Sequence, residues 1–126
     1  MKLTFGNSQR VRSARIFTEA RNHGKLIKGE WLNVWVYEDA SINPAQHSKL
    51  GVVVSRRTHP HAVKRNFWKR RIREAFRGQQ KQIVPGRVII VQSRIKGQAP
   101  AQKILNEELL ELLTRADLIA GQFKKK

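Results

Sequence analysis

The sequence has no cysteine at any of its 126 positions, which excludes a disulfide framework and thiolate metal sites and weakly favours a reducing compartment. Acids are scarce: 9 Asp+Glu stand against 26 Lys+Arg, a formal charge of +17. No stretch reaches the roughly 18 consecutive apolar residues that cross a membrane. The start, MKLTFGNSQRVRSAR, lacks the apolar run of a secretory signal. The expectation is a cytoplasmic chain with no membrane partner. A glycine-rich phosphate loop and a paired-carboxylate site are also missing. The 40% of hydrophobic residues nevertheless suffices for a modest core. The length suits one domain over 1–126, ordered from about 8 to 118, with tails at 1–7 and 119–126.

What is abundant is positive charge, unevenly placed. From Gly51 to Gly97 there are thirteen Lys/Arg and one acid, Glu74, whereas Glu107, Glu108, Glu111 and Asp117 gather later. A surface selected only for solubility mixes the signs. A field this one-sided is best matched by a polyphosphate, so nucleic acid leads among partner classes, ahead of an anionic membrane surface.

Apolar periodicity predicts a helix over Val11–Arg21 stopped by Gly24, a strand over Trp31–Tyr37, and a polar loop over Glu38–Lys49. A strand over Leu50–Arg56, paired antiparallel to the first, is expected next. Pro60 and Gly78 bound a central helix, Arg87–Gln92 reads as a strand covered on both faces, and Ala101–Leu118 closes as an amphipathic helix. The order α, β, β, α, β, α is that of a small α+β sandwich.

On the central helix, Arg65, Asn66, Lys69, Arg70, Arg73 and Arg77 share one broad face, and Trp68, Ile72, Ala75 and Phe76 another. Cations about one turn, or roughly 5.4 Å, apart can track a phosphate backbone. Guanidinium groups grip phosphate oxygens in two-pronged fashion. Glu74 lies among arginines and pairs by spacing with Arg70, Arg71 or Arg77. His59 and His61 flank Pro60 with no third ligand, the pattern of an exposed loop. Aromatics such as Phe17 and Trp35 serve either as core or as a stacking platform. Trp35 alternates with Leu32, Val34 and Val36, so it points away from the face those three bury.

The run Lys64-Arg65-Asn66-Phe67-Trp68-Lys69-Arg70-Arg71-Ile72-Arg73-Glu74-Ala75-Phe76-Arg77 resembles the signature helix of the bacterial ribonuclease P protein subunit. Gly51 to Arg57 resembles that family's preceding strand, and Phe17 and Trp35 resemble aromatics on its first helix and first strand. The resemblance spans about residues 8–118. It departs at Phe67, where the family usually has arginine, and at Arg21, usually aromatic. Two roles stay open for Phe67: stacking on an exposed base, or packing against neighbouring side chains.

The resemblance implies a sandwich with a left-handed βαβ crossover and a protein that assists an RNA enzyme in removing the 5′ leader of precursor tRNA. It implies that the catalytic RNA carries the hydrolysis and, in the main, the magnesium, leaving the protein without catalytic residues. Arg65, Asn66, Lys69, Arg70, Arg73 and Arg77 would face the catalytic RNA. A separate cleft with Phe17, Trp35, Ser55, Arg56 and Arg57 would take the leader. The partners implied are ribonuclease P RNA, one protein per RNA, and precursor tRNA. A ribosomal-type binding module would share the charge and the basic helix but not the joint spacing of these residues. A self-sufficient nuclease would lack metal ligands.

Overall fold

The computed structural model describes residues 14–38, 48–56, 59–94 and 98–119. In chain order the elements are α1 (Ala14–His23), β1 (Lys25–Lys28), β2 (Leu32–Tyr37), β3 (Lys49–Val53), α2 (Ala62–Arg77), β4 (Val88–Ser93) and α3 (Gln102–Arg115). One four-stranded sheet has the order β1-β2-β4-β3. Pairing is antiparallel for β1 with β2 and for β2 with β4, and parallel for β3 with β4.

This is the α+β architecture expected, with two corrections. First, an additional strand, β1, makes the order α-β-β-β-α-β-α. Its sequence, KLIK, buries only Ile27, so it carries almost no apolar alternation. Lysines of this kind are what blunt the edge of a sheet. Second, β3 does not pair with β2; both flank β4. A long connection between β2 and β3 imposes no hairpin, and the helical crossover through α2 permits β3 and β4 to run parallel. The strand β4 is therefore internal, and Val88, Ile89, Ile90 and Val91 are all fully buried, as its unbroken apolar run requires.

Element ends shift by a few residues. The first helix runs to His23, where the Gly24 amide donates to Ala20 O at 2.8 Å. A Cβ at Gly24 would meet the carbonyl oxygens of Ala20 and Val36, so glycine lets the helix end pass directly over β2. The closing helix ends at Arg115, where Asp117 adopts φ 60°. Leu118 N then reaches Leu113 O at 2.9 Å and Asp117 N reaches Thr114 O at 3.0 Å, the paired bonds of a Schellman turn. Beyond it Ile119 is buried and bridges Ile83.

Helices occupy both faces of the sheet. On one, Trp68, Ile72, Ala75 and Phe76 of α2 and Leu105, Leu109, Leu112 and Leu113 of α3 pack against Leu32, Val34, Leu50, Ile89 and Val91. On the other, Ala20 of α1 packs with Val88 and Ile90, ringed by partly buried Ile16, Phe17, Trp35, Tyr37 and Val53. The alternation that sends Leu32 and Val34 to the main core sends Trp35 to the α1 face.

Candidate nucleic-acid interface

The cationic side of α2 is set by the helical period: once Trp68, Ile72, Ala75 and Phe76 turn inward, the remaining positions face out. Asn66 and Arg70 are exposed, and Arg65, Lys69, Arg73 and Arg77 are half-buried. Their engagements differ. Arg65 Nη1 donates to His59 O at 3.0 Å and to Pro60 O at 2.8 Å, so it also closes the segment entering the helix. Arg77 grips Glu74 with two bonds, Nε to Oε1 at 3.1 Å and Nη2 to Oε2 at 2.5 Å. The hydrogen bond from Arg77 holds the Glu74 carboxyl below the usual carboxylate range, with burial opposing and the Arg77 charge assisting. The side chains of Asn66, Lys69 and Arg70 show no hydrogen bond or ion pair among the described residues.

The segment before α2 corrects one expectation. His59 is 2% exposed, its ring centroid 5.3 Å from that of Trp68 with the planes at 59°. It packs beneath the helix while His61 stays exposed at the helix start. The His-x-His spelling conceals this, because burial of the first ring depends on Trp68, nine residues on.

The second surface lies across the sheet. Leu26, Trp35, Ile90 and Gly51 stand in register, one on each strand. Phe17 reaches over this row from α1: a Cβ at Gly51 would lie 2.7 Å from Phe17 Cζ. The guanidinium carbon of Arg21 sits 5.4 Å from the Trp35 ring centroid, a cation–π distance. Tyr37 Oη donates to Glu19 Oε1 at 2.7 Å, tying α1 to β2. Ser55 is half-buried and Arg56 exposed just past β3; Arg57 lies outside the described residues. Phe17 and Trp35 thus come together, at a distance from the α2 cations and on the opposite face of the sheet. Arg21 and Gly51 complete this surface; the family resemblance sets Arg21 beside the cleft around Phe17, whereas the sequence does not mark Gly51 as part of it. Strand parity alone could have flagged Gly51, since it places Gly51 and Val53 on one side.

The family model described as Ribonuclease P matches residues 5–117. The chain belongs to the ribonuclease P protein family. A Picosynechococcus ribonuclease P protein component is 32% identical over 112 residues, covering 89% of this chain and 93% of the relative. The Thermotoga maritima component is 31% identical over 121 residues, covering 93% and 99%. In structure, the Thermotoga maritima RNase P protein superposes with a TM-score of 0.72 at 32% identity, covering 84% of this chain and 96% of that one. The Staphylococcus aureus RNase P protein gives 0.76 at 25% identity, covering 88% and 97%.

For this family member the donor chemistry of both surfaces suits anions and bases. Among the described residues no three His, Asp or Glu side chains gather as metal ligands. Glu74, the acid within the cation row, is committed to Arg77. No helix among the described residues is long and apolar enough to cross a membrane.

Proposed function

We infer that the protein serves as the non-catalytic subunit of a ribonucleoprotein endoribonuclease, binding the catalytic RNA through α2 and the 5′ leader of precursor tRNA through the α1 face. The observation that carries this reading is the separation of two unlike surfaces by one sheet: guanidinium and ammonium groups on α2, half-buried aromatics with Arg21 on the other side. On α2, Arg65, Asn66, Lys69, Arg70, Arg73 and Arg77 hold phosphates and sugars, whose contacts fix register without reading sequence.

On the α1 face, Phe17 and Trp35 offer rings to unstacked leader bases, which accept any base because every base has a π face. Ser55, Arg56 and Arg57 lie along the chain leaving β3 and hold the leader backbone. The hydrolysis and its magnesium belong to the RNA. The protein supplies affinity and positions the substrate, one copy per catalytic RNA, in the cytoplasm.

The test is reconstitution: purified protein with precursor tRNA in physiological magnesium, with and without ribonuclease P RNA from the same organism. Stimulated leader removal only when both are present is expected. Cleavage by protein alone, or no stimulation of the RNA, contradicts the proposal.

A further inference from the structure

Phe67 stands on the flank of α2 between the cation row and the start of α3, and it is 38% exposed. Its ring is braced from one side: the Arg71 guanidinium carbon lies 4.4 Å from the ring centroid. Arg71 is itself anchored, Nη1 donating to Pro100 O at 3.1 Å, while Gln102 Nε2 donates to Arg71 O at 2.8 Å. The ring is therefore held in place without being covered.

Two surface hollows open beside it. One, of about 370 Å³, is lined by Phe67, Arg70, Arg71, Glu74 and Gln102. The other, of about 200 Å³, shares Phe67 and Arg70 and is otherwise lined by Val63, Lys64, Trp68, Gln98 and Ala99. Lys64 and Arg70 are exposed at their rims, and the carboxylate present, that of Glu74, is occupied by Arg77. The surroundings of the ring are thus cationic as well as apolar.

A flat apolar ring in a cationic setting selects a ligand that is both planar and anionic. A purely apolar partner leaves the cations desolvated, and a bare phosphate leaves the ring and Val63 unused. A nucleotide satisfies both. We propose that Phe67, braced by Arg71, is a stacking platform for one unpaired nucleobase of the bound RNA, with Lys64 and Arg70 placed for the adjoining phosphates. This rests on the reading of α2 as RNA-binding and deepens it.

The experiment measures affinity and salt dependence of binding to ribonuclease P RNA for Phe67→Ala, Phe67→Leu and Phe67→Tyr, with thermal melting in parallel. Phe67→Ala and Phe67→Leu are expected to lose about 5- to 150-fold in affinity. Their salt slope should stay unchanged, because no phosphate contact is removed. Phe67→Tyr, which keeps the ring, should bind like the unaltered protein. Full affinity in Phe67→Leu would show a packing role and overturn the platform. Lys69→Ala and Arg73→Ala separate the two levels: if they weaken binding while the Phe67 variants do not, only the platform fails. If none of these changes matters, the reading of α2 fails with it.

Discussion

The Phe17 ring rests on Gly51, so closely that a Cβ at Gly51 would stand 2.7 Å from Phe17 Cζ and 2.7 Å from Ile90 Cδ1. Both are terminal side-chain atoms, but Ile90 is fully buried and Phe17 is packed against its cluster, so neither swings away freely. Gly51→Ala therefore forces the ring off the sheet. Overpacking of this sort costs about 1–3 kcal/mol, to be read from urea denaturation. The displaced ring should also weaken binding of leader-bearing substrate more than binding of mature tRNA.

If α2 docks RNA as proposed, Glu74 competes with phosphate for Arg77, to which it is bound in the free protein. Its carboxyl lies below its ordinary value of 4.5, so at neutral pH it is ionised and the pair is formed. The pair's contribution is present above that ordinary value and is lost as pH falls through the lowered one. Glu74→Gln should remove the ion pair that holds Arg77, tighten RNA binding at neutral pH and steepen the salt slope by up to about 0.7–0.9. An unchanged slope would show that Arg77 does not reach phosphate.

Lys69 is the cleanest probe of the cation row, because Arg65 also braces the carbonyls of His59 and Pro60 and Arg73 has an interaction of its own within the protein; Lys69→Ala and Arg73→Ala are read together. Each Ala substitution should weaken assembly with the catalytic RNA and make the salt slope shallower by about 0.7–0.9. Leader discrimination should return once enough protein is added to restore assembly. Filter binding over a salt series reads the first effect, and competition between matched substrates reads the second.

Glu108, in the C-terminal acidic cluster, has a structural task. Its Oε2 accepts Trp31 N and Leu32 N, each at 2.7 Å, and its Oε1 accepts Glu30 N at 3.2 Å. The carboxylate thereby clamps the β1–β2 turn to α3. Glu108→Ala leaves these donors without that acceptor and should cost about 1–3 kcal/mol in chemical denaturation. The salt slope of RNA binding should not move.

The elements that could be read from the sequence are those whose signal is local. Pro60, Gly78 and the inward set Trp68, Ile72, Ala75 and Phe76 delimit α2 by helical period, and the alternation around Trp35 assigns its face. What escaped depends on distant partners. The strand β1 buries one residue, Ile27, and is held chiefly by β2. The placement of β3 beside β4 is a choice among pairings that no periodicity encodes. His59 is buried by Trp68, and Phe67 is braced by Arg71 at helical spacing, four residues on. That spacing was visible, but its cation–π geometry was not.

Whether one sheet separates an RNA-docking helix from a leader-binding face is decided at Trp35, which parity removes from the main core. The measurement is binding of assembled Trp35→Ala enzyme to matched substrates, precursor tRNA with a leader of several nucleotides and mature tRNA. Loss of one stack predicts about 1–3 kcal/mol weaker binding of the leader-bearing substrate, or roughly 5- to 150-fold, with mature tRNA nearly unchanged. An equal loss for both substrates would contradict that separation and leave Trp35 as a residue of the fold alone.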